Sequence, residues 1–325
     1  MTRHTLEVLR LLADGEFHSG EAIGRALDVT RESISNALAD VEAFGLTVYR
    51  VRGRGYRLVT PVRWLDAVDI GRRLRAQAEA FAIEVVDRTG STNDDLIARV
   101  PQGAPSGLVR IAELQTHGRG RRGRVWHTGL GGALTFSVLW RFEQGVGFLS
   151  GLALAVGVAL LRALRRAGVD DAQLKWPNDL LWRHCKLGGI LIELSGDVMG
   201  PSAAVIGIGI NVRLPQDVID RIDQPVADLA RIGIDADRNV LVADILAELG
   251  RVLTQFSREG FAPLRDEWQR AHAYQDKMVV LRMPDNTQIE GRVAGVHEDG
   301  ALQLEQRGGV RKYYGGELSL RPVKR

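Results

Sequence analysis

The segment Gly118-Arg119-Gly120-Arg121-Arg122-Gly123-Arg124, closed by Trp126, restricts the fold more than any other part of the chain. It has almost nothing apolar to bury, so no core can be built through it. Its glycines let backbone N–H groups approach a ligand closely, and its guanidiniums supply forked donors matched to phosphate and carboxylate. A solvated basic loop and a disordered nucleic-acid tail are the plainer readings. The run sits mid-chain between two strand-like segments, which favours a structured anion loop.

At 325 residues the chain has room for two or three domains, and 45% apolar with 26% charged residues describes an ordinary globular protein. A net charge of +3 does not by itself name a partner. One cysteine, Cys185, excludes an intrachain disulfide framework and suits a reducing, cytoplasmic setting. Glu7, Arg10 and Asp14 stand where a secretory signal would need apolar residues. Residues 144–161 carry no charge but are short for a span and continue into Arg162, Arg165 and Arg166, so a buried core helix and no membrane partner are expected. The histidines lack metal-ligand spacing, and no structural metal is expected.

Residues 1–62 read as a winged helix-turn-helix. Leu6, Leu9 and Leu12 mark a first amphipathic helix, Ser19 caps a second, and Thr30 caps a third carrying Ile34, Leu38 and Val41. Two short strands follow around Arg52-Gly53-Arg54-Gly55. Arg52 and Arg54 in the wing are candidate phosphate contacts, and Arg31, Ser33, Ser35 and Asn36 on the third helix are candidates for base edges. That helix holds a single cation, Arg31, beside Glu32, so a module kept for protein contacts remains open. Residues 63–80 read as a linker with one short polar helix near 69–77. Residues 81–273 alternate strands and helices in a mixed α/β domain with a large sheet: strands near 83–86, 108–114, 133–140, 173–176, 180–182, 190–194 and 204–212, and helices over 92–100, 149–168 and within 240–273. Residues 274–325 read as short strands forming a small β-barrel.

Six motifs in order then carry a resemblance. Ser91-Thr92-Asn93, Gln115-Thr116-His117-Gly118-Arg119-Gly120-Arg121 with Trp126, Lys175-Trp176-Pro177-Asn178-Asp179, Lys186 to Glu193, Gly207-Ile208-Gly209-Ile210-Asn211, and Gly315 to Arg321 resemble the bifunctional biotin–protein ligase and biotin operon repressor family. With the winged helix, the likeness covers essentially the whole chain. It implies an α/β (α+β) architecture: a winged helix-turn-helix, a mixed α/β ligase domain and an SH3-like C-terminal barrel.

The resemblance also implies the chemistry. Biotin and ATP, with Mg2+, would give biotinyl-5′-adenylate, whose acyl group passes to a lysine of the biotin carboxyl carrier protein of acetyl-CoA carboxylase. Joining a carboxylate to a phosphate brings two anions together, which calls for the cations and backbone donors the loop provides. Ser91, Thr92, Asn93, Gln115, Arg119, Gly120, Arg121 and Lys186 are implied for biotin. Arg119, Trp126, Lys175, Asn178, Asn211 and Arg321 are implied on the nucleotide side. Lys186, Arg121 and Asp179 are the catalytic candidates; Asp179 either orients or deprotonates the acceptor lysine, binds magnesium, or caps the turn after Pro177. The adenylate would order the arginine loop and favour a homodimer that binds two-fold operator DNA. A lipoate–protein ligase and a ligand-sensing regulator without ligase activity are the competing readings.

Overall fold

The computed structural model describes residues 4–39, 41–283, 285, 287–314 and 319–322, with the side chains of 76 and 319–322 left outside. The first unit holds α1 (Thr5–Leu11), α2 (Gly20–Leu27), α3 (Arg31–Ala37) and the antiparallel wing β1 (Val48–Val51) and β2 (Gly55–Leu58). Ser19 and Thr30 cap α2 and α3 as expected, their hydroxyls accepting from the N–H groups of Ala22 and Ser33. Leu9, Leu12, Ile23, Ile34 and Leu38 close a small core, which Leu114 and Leu130 from farther along the chain join. Val41 does not continue α3. The helix ends at Ala37, the Arg50 guanidinium takes the Leu38 carbonyl at 2.7 Å, and Val41 falls on a separate 3-10 turn.

The segment 63–80 is no loose tether. Asp66 caps α4 (Ala67–Leu74), which tightens into a 3-10 stretch at Arg75 and sinks Ile70 and Leu74 into the main core.

The main unit is a seven-stranded sheet. In chain order come β3 (Ala82–Thr89), α5 (Thr92–Ile97), β4 (Leu108–Gln115), β5 (Ala133–Phe142), α6 (Leu152–Arg166), β6 (Ala172–Lys175), β7 (Asp179–Trp182), β8 (Cys185–Gly196) and β9 (Ser202–Asn211). The spatial order is β3-β4-β5-β9-β8-β7-β6, with only β3 and β4 parallel. α7 (Gln216–Asp220), α8 (Arg238–Glu259) and α9 (Arg265–Arg270) follow. Several element ends differ from the sequence expectation, and for three of them the cause is visible. α5 stops at Ile97, where Val100 N–H turns back to the Ile97 carbonyl; α6 starts at Leu152, after Gly151 in a left-handed conformation; and β8 extends back to Cys185 because its first residues pair with β7.

Strand periodicity sorts the sheet's two faces. Val109, Val138, Ala204 and Ile206 pack into the cluster that holds α6 and α8, while Leu108, Leu139, Ala203 and Val205 pack beneath Leu96 of α5. The last unit is an antiparallel sheet of β10 (Met278–Arg282), β11 (Gln288–Val296), β12 (Leu302–Gln306), β13 (Gly309–Tyr313) and β14 (Ser319–Pro322), ordered β13-β12-β11-β10-β14. Its Val279, Leu281, Val293 and Leu304 are continuous with the main core. Residues 315–318 of the terminal motif lie outside the described residues, as does the Arg321 side chain; the Arg321 backbone pairs with Val280. Among the described residues no helix is long and apolar enough to cross a membrane.

Candidate active site

The α5 face of the sheet changes character along each strand. On β9, Ala203 and Val205 give way to Gly207, Gly209 and Asn211; on β5, Leu139 gives way to Ser137 and Thr135; on β8, the facing positions are Gly189, Leu191 and Glu193. The glycines clear the floor. A Cβ on Gly209 would meet the Trp126 indole at 2.5 Å, and one on Gly207 would strike the Asn93 amide. Over that floor lies a cavity of about 420 Å³. Ser91, Thr92, Asn93, Gln115, Arg119, Gly120, Arg121, Trp126, Lys175, Asn178, Asp179, Lys186 and Asn211 all line it.

The N-terminus of α5 forms one wall. Ser91 caps the helix, its Oγ accepting from Asp94 N–H at 3.4 Å, and also faces the cavity. Thr92 donates its N–H (2.7 Å) to Gln115 Oε1, and its hydroxyl lies 3.0 Å from the same oxygen and 2.7 Å from Ser137 Oγ. Ser137 donates to Asn93 Oδ1 at 2.5 Å, and Asn93 Nδ2 donates to Glu193 Oε2 at 2.7 Å. Glu193 also takes the Arg119 guanidinium at 2.7 Å, which Asp94 shares at 2.5 Å.

The arginine-glycine loop is a folded strap. Trp126 N–H bonds to the Gly118 carbonyl at 2.8 Å and Gly120 N–H to the Arg124 carbonyl at 2.7 Å, with Arg122 and Gly123 at positive φ making the turn. Arg121 points inward, donating to Asn178 Oδ1 at 3.0 Å, while Asn178 Nδ2 donates to the Ile190 carbonyl. Burial, and next the charge of Arg122, press the Arg121 guanidinium below the ordinary arginine value, with Asp179 acting against them. A desolvated cation bonded to a neutral amide favours an incoming anion.

Asp179 joins the two lysines: Lys186 Nζ lies at 2.7 Å and Lys175 Nζ at 3.5 Å from its carboxylate. Burial opposes ionisation of Asp179, but the charges of Lys186 and Lys175 outweigh it and hold the carboxyl below the usual aspartate range. Asn211 Nδ2 donates to the carbonyls of Lys186 and Ala227, which stitches the loop after α7 onto β8. That loop brings Arg221, Ile222, Asp223, Gln224 and Val226 to the rim, residues with no motif in the sequence to mark them. In all, seven Lys or Arg and two Asp line the cavity, so it suits anionic ligands.

The DNA-contact candidates lie elsewhere, on the first unit. Arg31 and Asn36 on α3 and Arg52 and Arg54 on the wing are exposed, while Ser35 is half-buried. Ser33 is half-buried too and is engaged in the α3 cap, its Oγ 2.9 Å from Thr30 Oγ1. The Arg54 guanidinium stands 4.3 Å from the Phe17 ring centre.

The chain is similar to known proteins in sequence and in fold. The Biotin/lipoate A/B protein ligase family profile matches residues 85–211, an HTH domain profile 4–57, and the Biotin protein ligase C terminal domain profile 276–321. The bifunctional ligase/repressor BirA of Salmonella typhimurium is 39% identical over 319 residues, covering 98% of both chains. The biotin–[acetyl-CoA-carboxylase] ligase of Mycobacterium tuberculosis is 35% identical over 70% of this chain and 84% of its own. The Aquifex aeolicus biotin protein ligase solved with biotin and ATP superposes with a TM-score of 0.63 at 29% identity, over 74% of this chain and 98% of that one. A helix-turn-helix domain, a ligase domain and a C-terminal domain thus follow one another in the order the profiles match, and the chain belongs to the biotin protein ligase family, among the ligase/repressors that carry an N-terminal helix-turn-helix domain.

Proposed function

We propose that this cavity joins biotin to ATP as biotinyl-5′-adenylate and then transfers the biotinyl group to a lysine of a biotin carboxyl carrier protein. The observation that carries the reading is Arg121, a half-buried guanidinium facing a cation-rich cavity with a neutral amide as its hydrogen-bond partner. In the first step the biotin carboxylate attacks the α-phosphorus and pyrophosphate leaves. Arg121, with Arg119 and the Gly120 backbone beside it, offsets the repulsion between the two anions. Lys186 stands within reach of the same oxygens, and Mg2+ enters as part of the ATP substrate. Ser91, Thr92, Asn93 and Gln115 offer a neutral ureido ring its donors and acceptors. Trp126, whose indole N–H is buried and without a hydrogen-bond partner among the described residues, supplies a flat face for the nucleotide with Lys175, Asn178 and Asn211. Arg321 is proposed to reach the nucleotide from the C-terminal sheet.

In the second step the acceptor amine attacks the acyl carbon and AMP leaves. Asp179 is proposed to orient that amine. A carboxylate held below the usual range by two lysines is a weak base but a persistent acceptor. The relative named for acetyl-CoA carboxylase supports that enzyme's carrier domain as the acceptor. Transfer of labelled biotin to a carrier domain tests the reading. Wild type is expected to label it, Lys186→Ala to lose about a hundredfold or more, and lipoate to give no pyrophosphate release. An unlabelled carrier from folded wild type would overturn it.

The helix-turn-helix is read as an operator-binding unit, with the adenylate as corepressor and an adenylate-dependent homodimer presenting two wings. Its proposed bounds are 1–62, followed by a connection over 63–80, a ligase domain over 81–273 and an SH3-like barrel over 274–325. Replacing both Arg52 and Arg54 by Ala is expected to weaken operator binding and reduce the salt slope by about two per wing. Titrating binding against salt concentration checks this, and an unchanged slope would remove the wing from the interface.

A further inference from the structure

Gln115, Thr92, Ser137 and Asn93 form a row of oxygens whose protons can be counted. Gln115 Oε1 accepts the Thr92 N–H, so this end of the row is a carbonyl. At the other end, Asn93 Nδ2 donates to two pure acceptors, the Glu193 carboxylate at 2.7 Å and the Leu191 carbonyl at 3.3 Å, which turns Oδ1 toward Ser137. Between these carbonyls stand two hydroxyls, making three oxygen–oxygen contacts of 3.0, 2.7 and 2.5 Å. Two protons serve three contacts. The shortest contacts need them most, because bare lone pairs repel more strongly the closer they stand. Ser137 therefore donates to Asn93, Thr92 donates to Ser137, and the longest contact, Thr92 Oγ1 to Gln115 Oε1, is left as a pair of acceptors. Thr92 and Gln115 line the cavity, whereas Ser137 is fully buried behind them.

We infer that Ser137, with the Asn93 orientation fixed by Glu193, is a positioning residue that sets this polarity and makes Thr92 and Gln115 a paired acceptor for a ligand N–H. The inference rests on biotin being the ligand and adds what the site selects: an N–H of a neutral cyclic urea rather than a further acceptor. Ser137 touches no substrate. Without its hydroxyl the Thr92 proton turns to Gln115, and the pair closes on itself.

The test is steady-state kinetics on the full-length enzyme. Ser137→Ala is expected to raise the KM for biotin roughly tenfold, the worth of one hydrogen bond, while kcat and the KM for ATP stay within about twofold. Ser137→Cys keeps the volume but gives up the strong donor and should follow Ala. Ser137→Thr keeps the hydroxyl and should follow wild type. Ser202→Ala, which removes another buried hydroxyl, bonded to the Gln144 carbonyl, controls for general loosening. A biotin KM unmoved in folded Ser137→Ala overturns the inference, as does Cys matching wild type while Thr does not. A wild type that binds no biotin overturns the reading beneath it as well.

Discussion

His272 is a group whose protons report on folding. It lies between Trp268, ring centres 4.6 Å apart, and Tyr274, and among the described residues neither ring nitrogen has a hydrogen-bond partner. Burial, aided by the charge of Lys277, drives its pKa from 6.5 down to about 3. The folded chain thus refuses a proton that the unfolded chain accepts. Stability from this site is whole above pH 6.5 and drains as pH falls toward 3, by about 2 kcal/mol between pH 8 and pH 5. Urea unfolding at those two pH values should reveal that loss in wild type, and His272→Phe should flatten it. A slope unchanged in the variant would assign the acid sensitivity to other groups.

At the scale of elements, the floor of the site depends on β9 staying bare. Gly209→Ala would push the Trp126 indole off its place, and a shift near 1 Å is expected to cost about a hundredfold in kcat/KM for ATP. The circular dichroism spectrum should stay that of wild type, which separates displacement from unfolding. The same elements explain what could be read from the chain in advance. Ser91 to Asn93, the loop from Gly118 and the 175–179 turn each place several cavity-lining residues within a short stretch, so each forms a motif on which a family resemblance can rest; Ser91 to Asn93 alone would read as a helix cap. Ser137 stands singly on β5, and Glu193, though it closes the 186–193 motif, meets Asn93 only because β5 and β8 both pair with β9. Arg221 reaches the rim because Asn211 and Lys186 hold its loop, a tertiary fact with no local pattern. Strand positions were readable from alternation, but the ends of β8 and α5 were not, since partners and turns set them.

At the scale of the whole molecule, a buried ion pair joins the units. Glu113 on β4 meets the Arg238 guanidinium at 2.8 Å, both nearly free of solvent, and accepts the Leu65 N–H at 2.5 Å. Arg238 also donates to the Arg63 carbonyl, and Asn239 brackets the same stretch through Trp64 and Asp66. Glu113→Ala would strand Arg238 in the interior, at a cost of about 3–5 kcal/mol. The midpoint of urea unfolding should fall accordingly, and limited proteolysis should open residues 60–66 first. Glu113→Leu combined with Arg238→Met should recover most of the loss.

Three successive residues of β4 thus face three different constituencies. Glu113 holds the connecting segment, Leu114 joins the apolar cluster of the helix-turn-helix unit, and Gln115 meets Thr92 in the cavity. Side chains along this strand can be exchanged one at a time, each with a local effect. Its length cannot. Deleting a single residue between Leu108 and Glu113 would move every later side chain to the neighbouring position and the opposite face of the sheet. The seat of the first unit, the anchorage of the connection and the wall of the cavity would be misaddressed together.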